Sequence, residues 1–230
     1  MSVLTAARAL LRFRVLTRDG PSIPVRDLYF DDDPWVVHYF VIDVHRWLPG
    51  QHGLISTSSV TGADWSRRLL ETPLSLAEIC CSPCVDTGRL VSAPWMSDVT
   101  ATLLVPTAAA EPAGYGDEDE AHLRSLLGFI GYTVTALDRE IGRVANVLVD
   151  NAPWEIRHVV VDTTFWRPGR CVLVPIANIT LISPLDRAVH VHLTGADIRS
   201  APTYHPSRRL TVRNEARLLS YYSRRAQSEL

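Results

Sequence analysis

The chain has 230 residues, of which 47% are hydrophobic, 21% charged and 8% aromatic, the make-up of a globular protein and not of a disordered or collagen-like one. All 23 basic residues are arginine, so Schiff-base chemistry, a P-loop lysine and a lysine general base are excluded. Against 25 acidic residues the net charge is −2, without the basic excess of a typical nucleic-acid binder.

The opening segment MSVLTAARALLRFRVL is rich in arginine and free of acids, but Arg8, Arg12 and Arg14 interrupt any signal-type apolar core. No stretch reaches the roughly 20 apolar residues that span a bilayer. A cytoplasmic protein without a transmembrane segment is expected. Cys80, Cys81, Cys84 and Cys171 are then expected to be reduced thiols.

Sliding the sequence against itself finds one offset, 119 residues, at which Asp19 to Val85 overlies Asp138 to Tyr204 without gaps, with 17 identities in 67 positions. Chance at ordinary composition gives about four. The identities include Asp31/Asp150, Pro34/Pro153, Trp35/Trp154, Asp43/Asp162, Trp47/Trp166, Gly50/Gly169, Leu54/Leu173, Arg68/Arg187 and Pro83/Pro202.

Each copy reads as short strands separated by turns. In the second, Tyr132 to Leu137 and Arg143 to Val149 are strand-like, and Asp150 to Pro153 forms a turn. The run WEIRHVVVD then becomes β-branched, as in a strand buried on both faces. WRPG (Trp166 to Gly169), matched by WLPG (Trp47 to Gly50), puts Pro-Gly at the centre of a type II turn. The strand CVLV and the alternating strand AVHVHL follow. Each copy closes on a short helix: Ser75-Leu-Ala-Glu78 is a capping box, Thr194-Gly-Ala-Asp197 its counterpart, and Pro83 and Pro202 stop the helices. Five or six strands in under 80 residues predict a small closed or nearly closed β-barrel per copy.

The composition changes at Pro106 to Ala121, a Pro/Ala/Gly and acidic linker. The expected organisation is therefore one repeat over 1–105, a linker over 106–121 and a second repeat over 122–230. The second ends in an amphipathic helix from about Arg213 to Ser228. Residues 86–121 carry 1 arginine and 7 acids, and the tail from His205 carries 6 arginines and 2 acids, so linker and tail hold most of the charge.

Asp31, Asp43, Asp150 and Asp162 are candidate acid/base or metal ligands, but an aspartate opening a turn accepts loop amides, and further ligands at matched spacing are lacking. Trp35, Trp47, Trp154 and Trp166 could stack on a ligand; without a basic groove between them, packing at barrel ends is the simpler role. Cys81-x-x-Cys84 with Cys80 is half a zinc-site spacing, yet the repeat replaces these residues by Arg199, Ser200 and Thr203. No GxSxG, HExxH, complete GxGxxG or Cys-His-Asn signature is present. A filled barrel has no cleft, so neither enzymatic activity nor a cofactor is expected.

The residues DDDPW and DNAPW, VIDVHRWLPGQHGLIS and VVDTTFWRPGRCVLVP, the entry GYTVTALDREIGRV and the exit LTGADIRSAPTY resemble the PRC-barrel family, in a bacterial tandem form. That family takes its name from the photosynthetic reaction-centre H subunit. The first copy is the more diverged, since Asp19-Gly-Pro-Ser-Ile23 places glycine and isoleucine differently from Asp138-Arg-Glu-Ile-Gly142. The resemblance implies a mainly β protein of two small barrels with short capping helices and a C-terminal amphipathic helix. Asp31, Trp35, Asp43, Trp47, Gly50, Asp150, Trp154, Asp162, Trp166 and Gly169 would be its structural motif. It also implies a non-enzymatic protein-binding or assembly module, as at the cytoplasmic face of a membrane complex. Docking between repeats or a homo-oligomer is expected, because small barrels bury little core. Two other readings stay open: RNA or ribosome association through the arginine tail, and a metal or redox response at Cys80, Cys81 and Cys84.

Overall fold

The computed structural model describes residues 4–49, 51–81, 123–151, 153–163, 169–207 and 210–226. The chain is mainly β and its described residues form two units, each built on one sheet. No helix among the described residues is long and apolar enough to cross a membrane.

The first sheet contains β2 (Arg14–Leu16), β3 (Ser22–Asp31), β4 (Val36–Asp43), β5 (His52–Ser56), β6 (Gly62–Asp64) and β7 (Leu69–Glu71). They are ordered β5-β4-β3-β2-β7-β6, and β8 (Leu123–Ser125) pairs with β3 off this path. The second sheet contains β9 (Thr133–Thr135), β10 (Glu140–Asp150), β11 (Ile156–Asp162), β12 (Cys171–Pro175), β13 (Ile179–Ser183), β14 (Ala188–Val191) and β15 (Thr203–Tyr204). Its order is β13-β14-β9-β10-β11-β12-β15, and β1 (Leu4–Ala6) pairs with β10. Five helices complete the described elements: α1 (Ala7–Leu10), α2 (Leu76–Cys80), α3 (Leu126–Phe129), α4 (Gly195–Ser200) and α5 (Val212–Ala226).

The 119-residue offset carries β5 onto β12, the 3-10 turn Thr57–Ser59 onto Ile176–Asn178, and β8 is reached from β1 by the same shift. It also carries the backbone irregularities. Register shifts at Val25/Asp27 and Tyr29/Phe30 in β3 recur at Val144/Asn146 and Leu148/Val149 in β10. Each bulge adds one unpaired residue and sharpens the twist. One long strand serves three partners: β3 pairs with β2, β4 and β8, and β10 with β9, β11 and β1.

The units do not follow the repeat boundaries 1–105 and 122–230. Residues up to Ala9 belong with the second sheet, and β8 with the first. The strand that opens each copy in sequence is thus hydrogen-bonded in the other copy's sheet: Leu4 faces Asp150 and Ala6 faces Leu148, while Leu123 faces Asp31 and Ser125 faces Tyr29. Side chains fasten both arms. The Arg124 guanidinium pairs with the largely buried Asp32 carboxylate, and the Ser125 hydroxyl donates to Asp27. In the second sheet the Arg8 N–H donates to Asn146 Oδ1 at 3.1 Å.

Of the closed or nearly closed barrels expected from the sequence, closed ones are not found among the described residues. Strand pairing runs from β5 to β6 and from β13 to β15 without returning on itself among the described residues. The outermost strands are short: β6 has three residues and β15 two. Beside β5 the opening is filled by a helix instead. Ile79 of α2 is buried against Gly53, where an added Cβ would lie 3.2 Å from Ile79 Cγ2. The core is the apolar run of the central strands, with Leu28, Phe30, Phe40, Val41 and Ile42 in the first sheet and Val147, Ile156, Val159, Val160 and Val161 in the second. Four consecutive buried residues, His158 to Val161, match the two-sided burial read from WEIRHVVVD.

Two consequences can be measured. Because β1 is paired in the sheet of β10 and β8 in that of β3, chains 1–105 and 106–230 produced together should elute as one 1:1 species; two separately folded halves would contradict the exchange. At Gly142 an added Cβ would stand 2.0 Å from the Asp162 carbonyl oxygen. Gly142→Ala should therefore lower unfolding free energy by about 3 kcal/mol, read by urea denaturation.

Candidate functional site

The repeated aspartates build turns. Asp31 Oδ1 accepts the Asp33 N–H at 3.0 Å, and Asp43 Oδ1 accepts the His45 N–H at 3.0 Å. Asp43 Oδ2 also accepts Arg26 Nε–H at 2.9 Å, and that guanidinium is the main cause of a carboxyl pKa below its ordinary value. Asp150 is buried at the end of β10, where its N–H donates to the Glu155 carbonyl at 2.8 Å. Asp162 ends β11 opposite Cys171. Asp19 and Asp138 act on the helices: their carboxylates accept the backbone N–H of Leu76 and Gly195, ahead of complete capping boxes at Ser75/Glu78 and Thr194/Asp197.

The tryptophans follow the same logic. Trp35 and Trp154 take φ of 64° and 57°, and Arg68 and Arg187 take 56° and 50°. Positive φ is rare for bulky residues, so its recurrence at identical repeat positions marks a turn the fold requires. Trp35 stacks on Phe30 with centroids 5.9 Å apart, and Trp154 is buried. Trp47 is half-buried in the turn after β4, its N–H on the Val44 carbonyl at 2.8 Å. Gly169 has φ 74°, as the second central position of a type II turn demands. Gly50 and Trp166 lie outside the described residues.

Cys80 closes α2 half-buried and Cys81 caps it exposed, while Cys84 falls outside the described residues. Among the described residues no three His, Cys, Asp or Glu side chains gather where they could hold a metal ion. A histidine pair does form beside Asp43: His45 and His52 have centroids 4.9 Å apart, and His45 Nδ1 lies 2.9 Å from the Gln51 carbonyl. Burial and then the neighbouring His45 lower the His52 pKa.

The feature that sequence reading missed is the seat of α5. His158, 1% exposed in β11, sets Nε2 3.0 Å from Glu215 Oε1 of α5, and its Nδ1 has no partner among the described residues. The Tyr221 hydroxyl donates to the Asp197 carbonyl at 2.7 Å, and the buried Tyr222 hydroxyl to the Leu173 carbonyl at 2.9 Å. That last acceptor is free for a reason. In the register Cys171↔Tyr204 and Val172↔Thr203, Leu173 faces Pro202, which has no N–H to give. The available signal was a histidine inside an apolar strand and a glutamate on the helix to come, a match that pairwise spacing alone does not announce.

Helix α5 also creates what a filled barrel would lack. Between it and β15 lies a half-open cavity of about 410 Å³, with Leu173 and Leu218 at its base and Tyr204, His205, Asn214 and Arg217 around it.

Burial dominates at His158 and lowers its pKa below 6.5, while Glu215 pulls the other way. A base held neutral in the fold adds stability above the unfolded value of 6.5, and loses it as pH falls from there toward the folded pKa. Comparing denaturation at pH 7.5 and 5.5, His158→Asn should shed part of the acid destabilisation of the parent chain, at most about 1.4 kcal/mol per pH unit. Identical pH dependence in the two proteins would contradict a neutral buried His158.

Compared with protein-family models and with curated proteins, the chain matches no family model and no curated protein.

Proposed function

We propose that the chain is a tandem PRC-barrel-type protein working in the cytoplasm as a non-enzymatic binding or assembly module for another protein. The described residues among its motif positions lie in turns, strand ends and core, which leaves the outer surface to carry specificity. One observation carries the reading. The hairpin β13–β14 exposes Leu181 to 55% and Leu185 to 95% at the rim of the second sheet. The repeat supplies an internal control, because the same positions in the first sheet hold Gly62 and Ser66. The fold therefore does not need leucine there. Exposed apolar side chains that the fold does not require mark contact surfaces, and β13 adds a strand edge with a single sheet neighbour among the described residues.

Tagged protein recovered from its native cells should bring down a stoichiometric protein partner. The pair Leu181→Asp and Leu185→Asp should lose that partner while leaving the thermal midpoint within about 2 °C, since exposed positions contribute little to stability. Retention of the partner by the double variant would overturn the assignment of this hairpin, and recovery of no partner would overturn the module reading.

A further inference from the structure

We propose that the cavity between β15 and α5 is a second recognition site, which takes an extended peptide segment of a partner protein carrying an acidic side chain. It rests on the reading of the chain as a protein-binding module and adds the chemistry of what is bound.

The walls are of two kinds. One is β15, the last strand of its sheet, with β12 as its single neighbour among the described residues. The other is α5, held at a set distance by Tyr222 on Leu173, Tyr221 on Asp197 and Glu215 on His158. A gap between a strand with one free edge and a helix wall is where an added strand gains backbone hydrogen bonds on one side and side-chain contacts on the other. About 410 Å³ holds a few side chains of such a strand and is small for a folded domain.

The charge of the gap selects among peptides. Leu173 and Leu218 give an apolar base, both 2% exposed. At the rim, the side chains of His205, Asn214 and Arg217 have no hydrogen bond or ion pair among the described residues, and no carboxylate lines the cavity. The nearby acids are already engaged: Glu215 faces His158 and Arg157, and Asp197 faces Arg225. Among the described residues Arg217 thus has no counter-ion, and it stands beside an amide and an imidazole that can also donate. A carboxylate satisfies such a set, with bidentate geometry open to the guanidinium, whereas a lysine-bearing peptide would meet like charge.

The test uses the full chain and three fluorescein-labelled octapeptide pools, random except for Glu, Gln or Lys fixed at the fourth position, read by fluorescence anisotropy at low salt. The Glu pool should bind about tenfold more tightly than the Gln pool, about 1.4 kcal/mol, and the Lys pool more weakly still. Arg217→Glu should reverse the order and Arg217→Gln should flatten it, with thermal midpoints of both variants confirming that they fold. Bound peptide should slow amide exchange at residues 203–205. Equal binding of the three pools, an unchanged preference in Arg217→Glu, or full competition by free glutamate, meaning a small-anion site only, would each overturn the proposal. So would a preference that emerges only when Asp117 to Glu120 are replaced by Ser, because the chain's own acidic run would then be the occupant. The Leu181/Leu185 double variant separates the two readings. It should keep the peptide preference, and if the pools show none while that variant still loses its cellular partner, the groove proposal falls and the module reading stands.

Discussion

Everything in both units hangs on one strand, β3 in the first and β10 in the second. Each is the longest strand of its sheet and hydrogen-bonds with three others. It can do so because a single long neighbour, β4 or β11, takes one edge, while two three-residue strands share the other end to end, β2 and β8 on β3 and β9 and β1 on β10. Bulges at equivalent positions sharpen the twist of the strand between these partners. One occupant of the shared edge is the arm exchanged from the other copy. The extra register shift between Glu140 and Gly142 in β10, absent from β3, is permitted by Gly142 and accounts for the different place of glycine in the two copies.

Much of this was legible from one fact, the 119-residue offset. It predicted that both copies fold alike, and the elements, caps and positive-φ residues coincide. Capping boxes were readable because their chemistry is local, three residues apart. The strand exchange was not readable, since arms of three residues carry no periodicity and pairing partners are not encoded in spacing. A trace existed: the offset extends upstream through Leu4/Leu123 and Val15/Val134, ahead of the aligned window. Whether strand pairing returns on itself was equally hidden, because it depends on which outer strands meet, and that is not written in local spacing.

For the candidate surfaces, the repeat is more informative than any motif. Where both copies agree, as at Asp31/Asp150 or Trp35/Trp154, the residue answers to the backbone. Where they differ on the outside, as at Gly62/Leu181 and Ser66/Leu185, the fold has expressed no preference. The arginine tail fits that division in part only. Arg225 closes an ion pair with Asp197, whereas Arg217 is left to the groove. The sequence showed the excess of charge but not which guanidinium was already committed.

The exchanged arms also order events during synthesis. The residues of β1 leave the ribosome ahead of the other described strands, yet their partners Leu148 to Asp150 follow about 140 positions later, several seconds at ordinary elongation rates. The first sheet must likewise wait for Leu123 to Ser125 before Tyr29 to Asp31 are covered. The first sheet is complete not when its own strands, which end at Glu71, have emerged but only when Ser125 has, and the second is complete only with β15 at Tyr204. Such long-range pairing slows folding, and a chain interrupted between the copies is left with an uncovered strand edge.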